Sequence, residues 1–376
     1  MINSLYIHIP FCMKKCIYCD FLSVPYDEAV AMGYIDAVLK ELELRRDTGE
    51  VLKTVYIGGG TPTTIPTPAL IRLLKTIRDV FGIAPDAELT IEANPGTVTR
   101  EMLSALSESG ITRLSMGVQS FNDRELKLLG RIHDFSEALK SIAAARHAGI
   151  TNLSIDLIYG IPGQTLKSWT QTVSTAIEIS PQHISSYELT PEKDTPLHEL
   201  ISTGNLEKPD EDTIIMMYSH AIDRLGEAGY SHYEISNFAK PGFQCIHNLN
   251  YWNRGQYLGI GAGAHSFIAD RRIKNTGDIR TYMEQVSQGD LPEAEVIEIS
   301  CEDAIKESIF LGLRKTEGLD INEFREDLNI DILKISDRLI QEGLLTSDGT
   351  HVALTRKGIV VSNTVITELF TLLELD

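Results

Sequence analysis

Three cysteines stand within eight residues near the start of the chain, in the run Cys12-Met13-Lys14-Lys15-Cys16-Ile17-Tyr18-Cys19. The other two, Cys245 and Cys301, are isolated. Thiolates are the ligands that iron–sulfur clusters require. Three ligands for a four-iron cube leave one iron free of protein coordination. That iron can take a chelating ligand, such as the amino and carboxylate groups of a methionine moiety. A reduced cluster can then cleave a sulfonium bond by one electron. Two other readings stand beside this one. Structural zinc would use His8 as fourth ligand, although zinc sites usually pair C-x2-C with a distant second pair. The third is a set of unrelated buried thiols. An odd number of cysteines in a long chain without a signal peptide does not suggest a disulfide framework.

Other segments have chemistry of their own. Glycines in Gly58-Gly59-Gly60-Thr61-Pro62 let the backbone approach a ligand and turn carbonyls toward an ammonium group. A tight strand-to-helix turn explains the same run. Glu92, in Thr90-Ile91-Glu92-Ala93-Asn94-Pro95, can accept both hydroxyls of a ribose, or simply be a solvated acid at a strand end. In Cys245-Ile246-His247-Asn248-Leu249-Asn250-Tyr251-Trp252, a neutral imidazole can ligate heme iron, and Tyr251 and Trp252 can pack on a porphyrin face. The competing assignment is a satisfied histidine among buried aromatics. His265, in Gly259-Ile260-Gly261-Ala262-Gly263-Ala264-His265-Ser266, is a further candidate ligand.

These residues need a frame. Apolar runs at Leu5–Ile9, Thr54–Ile57, Leu89–Glu92, Arg113–Val118, Leu153–Ile158 and His183–Glu188 read as strands. Amphipathic segments at Ala29–Arg46, Pro68–Phe81, Arg100–Ser109, Phe135–Ala148 and Leu166–Ile179 read as helices. Strand–helix units in a row predict an α/β fold with a parallel sheet. Six units suit a partial (β/α)6 barrel, and a doubly wound sheet is the alternative. The unusual residues follow the strands, where parallel α/β folds place their sites. Domains are expected at residues 1–230 (the barrel), 231–297 (a connecting region with the histidine motif and the glycine-rich loop) and 298–376. In the last, three helices precede two strands joined at Ser347-Asp348-Gly349-Thr350, a hairpin signal. This predicts a winged-helix-like domain. Its 16 acids against 8 Lys/Arg favour protein packing or a lid over DNA binding.

The net charge of −19 argues against nucleic acid or an anionic membrane as general partner. No apolar run reaches about 18 residues, so no integral membrane segment is expected. The expected location is the cytoplasm.

The cysteine run resembles the motif of the radical S-adenosylmethionine (radical SAM) superfamily. With Tyr6-Ile7-His8-Ile9-Pro10-Phe11-Cys12, it resembles more narrowly the oxygen-independent coproporphyrinogen III oxidase-like group. His247-Asn248 with Tyr251-Trp252 is similar to the motif of that group's heme chaperone branch. The resemblance implies a [4Fe–4S] cluster on Cys12, Cys16 and Cys19. It implies one or two molecules of S-adenosylmethionine on Tyr6, Tyr18, Gly59, Gly60, Thr61, Glu92, Gln119, Arg131 and Asp156, and heme as cargo at His247, Tyr251 and Trp252. It implies as partners heme or porphyrin, an acceptor heme protein, and an electron donor such as flavodoxin or ferredoxin, with peripheral membrane contact during heme delivery. The alternative is the oxidase itself, which decarboxylates its propionate substrate through a 5′-deoxyadenosyl radical in porphyrin biosynthesis. Two departures weigh against it. The oxidase has a fourth cysteine where this chain has Phe21, and a substantial segment ahead of the cluster motif, where this chain has five residues before Tyr6.

Overall fold

The computed structural model describes residues 2–48, 50–326 and 328–373. Its centre is a sheet of nine strands. Six lie side by side and parallel: β1 (Ser4–Ile9), β2 (Leu52–Gly59), β3 (Ile83–Ala93), β4 (Arg113–Gln119), β5 (Asn152–Tyr159) and β6 (His183–Glu188). Helices α1 (Glu28–Leu44), α2 (Thr67–Phe81), α3 (Arg100–Glu108), α4 (Asp123–Leu129), α5 (Phe135–His147) and α6 (Leu166–Ile179) alternate with them, and one apolar core joins helices to sheet. The partial (β/α)6 barrel is therefore the observed architecture. The helix starts are written locally: Asp27, Thr99, Asp134 and Thr165 each accept a backbone N–H of the first turn.

Parallel register aligns the inward side chains. Glu92 on β3 is opposite Ser115 on β4, and Asp156 on β5 is opposite Ser185 on β6. A register shift between Gly117 and Gln119 marks a bulge at the end of β4. Gln119 there has φ +70°, a strained conformation for a side-chain-bearing residue at a strand end that faces the site.

Residues 231–260 add three strands to this sheet. After α7 (Pro196–Ser202) and α8 (Glu211–Glu227), strands β7 (Ser231–Glu234) and β8 (Asn237–Ala239) extend it antiparallel beyond β6. β9 (Leu258–Ile260) pairs parallel with β1 at the opposite edge. Between β8 and β9 the chain forms a short helix, α9 (Ile246–Trp252). β10 (His265–Ile268), β11 (Arg271–Asn275) and β12 (Glu293–Glu298) then make a separate antiparallel sheet, interrupted by α10 (Ile279–Gln288).

The remainder has its own apolar core. α11 (Cys301–Gly312), β13 (Leu319–Asp320), α12 (Ile321–Glu326), α13 (Ile332–Gln341), β14 (Leu345–Ser347) and β15 (His351–Leu354) follow the winged-helix order, with β15 central in its sheet. The hairpin turns at Gly349, φ +89°, and Asp348 accepts the N–H groups of Thr350 and His351 at 2.8 Å. α14 (Arg356–Val360) and α15 (Ser362–Leu373) complete it. The domain is tied to the barrel by Thr316 N–H on Tyr233 O (3.1 Å), Ile235 N–H on Arg314 O (3.0 Å) and an Arg356–Asp223 ion pair. Among the described residues no helix is long and apolar enough to cross a membrane.

Candidate functional site

The carboxyl ends of the parallel strands surround a cavity of about 440 Å³. The loop after β1 forms one wall and carries Cys12, Cys16 and Cys19, all half-buried and lining the cavity. The loop is fixed at its base: Val24 N–H donates to Pro10 O at 2.7 Å and Tyr26 N–H to Cys12 O at 2.9 Å. Arg131 reaches it from beyond α4, with Nη1 3.5 Å from Cys16 Sγ and Nη2 2.6 Å from Gly117 O. Burial pushes the Cys12 and Cys19 thiols above their ordinary range, so binding a metal there releases protons.

The donor set can be tested against zinc and against a cube. A tetrahedral zinc draws its sulfurs to within about 4 Å of one another. Among the described residues no three His, Cys, Asp or Glu side chains converge on a point where a single metal ion would sit. His8 has no nitrogen to give: Nδ1 bonds the Tyr6 hydroxyl (2.9 Å) and Nε2 the Leu22 carbonyl (2.9 Å). Three separated thiols facing one cavity fit a cluster whose corners stand apart.

Of the residues expected at S-adenosylmethionine, Tyr18, Gly59, Gly60, Glu92, Gln119, Arg131 and Asp156 line the cavity. The glycines are required by space. A Cβ on Gly59, φ +116°, would sit 2.6 Å from the His8 ring, and one on Gly60 would sit 2.8 Å from Phe11 O. Tyr6 and Thr61 do not line this cavity, and Thr61 borders the small depression beside it. Tyr6 packs on Tyr56 and holds His8. Thr61 is buried behind Cys12, 3.5 Å from its sulfur, and accepts from Asn94 Nδ2 at 2.7 Å.

Glu92 accepts Tyr56 O–H at 2.8 Å on one oxygen and Gly59 N–H at 3.0 Å on the other. Each oxygen keeps a lone pair for a ligand hydroxyl. Burial pushes the carboxyl up to about 7 against these two donors, and Asp156 nearby adds to the rise. Burial likewise raises Asp156, which accepts from Ser115 Oγ at 3.3 Å. Arg113, Ser115, Gly117 and Gln119 occupy every second position of β4 and all line the cavity. Sequence reasoning names only Gln119 of these, although the polar alternation through Arg-Leu-Ser-Met-Gly-Val-Gln was a usable signal.

The histidine motif lies at the other end of the barrel. α9 starts here because Glu88 on β3 accepts the Ile246 and His247 N–H groups at 3.1 Å and the Cys245 thiol at 3.4 Å. That cap comes from a residue far away in sequence. His247 is 1% exposed. Its Nδ1 bonds Thr54 Oγ1 (2.8 Å) and its Nε2 bonds the Tyr251 hydroxyl (2.9 Å). Burial and the Arg113 charge push it down to about 3, so it is neutral. In this conformation both imidazole nitrogens of the expected heme residue are engaged in hydrogen bonds within the fold. Tyr251 packs edge-on against His247 and Tyr257. Trp252 packs against Arg314 at the winged-helix boundary, its guanidinium carbon 5.4 Å from the ring centroid. His265 is exposed and does not line the cavity. From this motif Asn248 alone reaches the cavity wall.

Residues 6–176 match the radical SAM superfamily and residues 299–361 the HemN C-terminal domain. The heme chaperone HemW of Bacillus subtilis is 38% identical, over 96% of this chain and 98% of that one. The chain belongs to the HemW family. The Escherichia coli HemW is 42% identical over 74% of both chains. Coproporphyrinogen III oxidase (HemN) from Escherichia coli, described as a radical SAM enzyme, superposes with a TM-score of 0.84. It is 26% identical and the match covers 98% of this chain and 90% of that one. Membership of the radical SAM superfamily implies a [4Fe–4S] cluster and S-adenosylmethionine, and the cavity residues of this HemW-family chain fit both.

Proposed function

We propose that this chain is a heme chaperone that binds heme and transfers it to a heme protein. Cys12, Cys16 and Cys19 hold a [4Fe–4S] cluster, and the cavity beside them holds S-adenosylmethionine. The observation that carries the reading is the similarity to HemW heme chaperones over nearly the whole chain. Phe21, where the oxidase would have a further cysteine, agrees with it.

When bound, the cluster supplies one-electron reduction of the sulfonium. The protein's residues do the positioning. Arg131 ties the cysteine loop to β4 and brings positive charge beside Cys16. Glu92, held by Tyr56 and Gly59, offers its free lone pairs to the ribose. Gln119 and Asp156 form the wall across from the cysteines. We assign a single molecule of the nucleotide to the cavity, to be counted by anaerobic equilibrium dialysis. A flavodoxin- or ferredoxin-type protein is the expected reductant. A membrane-bound acceptor would be met peripherally.

Titrating the cluster-loaded protein with hemin tests the function. A saturable Soret change is expected, and its absence removes heme as cargo. The oxidase reading is favoured by the fold match to HemN. An anaerobic assay with coproporphyrinogen III, reductant and S-adenosylmethionine decides it: formation of protoporphyrinogen would replace the chaperone reading.

A further inference from the structure

The heme reading leaves a positional question, because the residue expected to bind iron is sealed in the barrel floor. A heme is a flat apolar ring with two carboxylates on one edge. Its site needs an accessible apolar platform bordered by cations.

The rim of the cavity mouth offers this combination. Phe21 is 63% exposed, Met13 59%, Ile132 51% and Tyr187 42%. Phe21 and Tyr187 line the mouth, together with Lys14 and Lys15. Met13, Lys14 and Ile132 share a shallow depression beside Cys16 and Gly130. Lys14 borders both spaces, which places the two sets of apolar side chains on either side of the cysteine loop's lysines.

Large apolar groups in water are tolerated singly, whereas a cluster of them marks a binding surface. The charge is equally local. The chain as a whole has net charge −19, yet this loop presents adjacent lysines. Lys15 Nζ donates to Phe21 O at 3.4 Å, which keeps it beside the ring. Lys14 forms no ion pair among the described residues. The acids at the mouth are Asp20 on the same loop and Glu188 and Glu192 on the opposite wall, with Glu188 paired to Lys208 at 3.5 Å. An anionic edge is thus directed to the lysine side of the mouth and away from the far wall.

We propose that heme docks on this rim, its ring on Phe21 and Ile132 and a propionate on Lys14, and that His247 does not bind its iron. The proposal rests on the heme-chaperone reading and locates its cargo. It places heme over the cluster loop, at the mouth of the cavity that holds the nucleotide.

The test is a set of hemin titrations on cluster-loaded protein, with iron content measured for each variant. Phe21→Ser and Ile132→Ser should each weaken hemin binding by about tenfold, the effect expected of a lost aromatic or apolar contact. The iron content of each variant separates heme contact from cluster assembly. Wild-type protein should prefer hemin to its dimethyl ester, and Lys14→Glu/Lys15→Glu should abolish that preference. His247→Gln should keep wild-type hemin affinity. Rim variants that retain their iron and bind hemin as wild type does overturn the proposal while leaving the chaperone reading intact. A folded His247→Gln protein that loses the Soret change also overturns it. Failure of the wild-type protein to bind hemin overturns the chaperone reading itself.

Discussion

The imidazole of His247 is stacked on the phenol ring of Tyr56, with centroids 5.2 Å apart and planes 29° from parallel. Tyr56 donates its hydroxyl to Glu92 on the cavity wall. One aromatic ring therefore separates the floor motif from the residue expected at the ribose. The motif buttresses the site from below, which gives His247 a structural part distinct from iron ligation.

Removing that buttress should destabilise the barrel. His247→Ala opens a cavity and strands the hydroxyls of Thr54 and Tyr251, for a cost of about 2–4 kcal/mol. The midpoint of urea unfolding should drop accordingly. An unchanged midpoint would show that the floor packing is not held by this ring.

Glu88 is the second support. It receives two backbone N–H groups and a thiol at the start of α9. Glu88→Ala should cost about 2–3 kcal/mol, because buried donors lose a charged acceptor. Glu88→Gln keeps an acceptor and should cost less. Equal losses in the two variants would count against the capping role.

The cysteines divide into two classes. Cys12→Ala, Cys16→Ala and Cys19→Ala should each strip iron and sulfide from anaerobically reconstituted protein. Cys245→Ala and Cys301→Ala should retain both, since Cys245 is buried against Glu88 and Cys301 begins α11. Full iron content in Cys16→Ala would contradict the assignment.

Stability should carry the signature of Glu92. Folding raises its carboxyl from the ordinary range to about 7, so the folded state binds more protons than the unfolded one between those values. Its contribution is full below the unfolded value and is lost as pH rises through about 7. Glu92→Gln has no such loss. Denaturation midpoints measured at about pH 5 and about pH 8 should show the variant gaining on wild type at the higher pH. A constant difference would mean that Glu92 titrates normally.

Air exposure should degrade the cluster. The three thiols are half-buried at a cavity open to solvent, and one iron has no protein ligand. Protein purified aerobically should be largely apo by its visible absorbance. A full complement surviving days in air would argue for a sealed site.

Much of this was legible in the chain itself. C-x3-C-x2-C spacing names the chemistry because ligand type and local separation are sequence properties. Strand periodicity and the position of unusual residues after each strand placed the site at one mouth, because parallel sheets present their loops at a common end. The Asp348-Gly349 turn and the helices before it marked the winged-helix unit through local backbone preference.

Three-dimensional packing decided the rest. The sequence H-N-x-x-Y-W does not say which way an imidazole faces. Thr54, Glu88 and Tyr56, 158 or more residues away from their partners in α9, turned His247 inward and capped the helix that carries it. The partners of Tyr6 and Thr61 were hidden for the same reason: a side chain settles where its hydrogen bonds and burial are best satisfied, and those partners are assembled only by the fold. The exposed rim at Phe21 was likewise invisible beforehand, since an aromatic beside a cysteine reads as core until the surface is drawn around it.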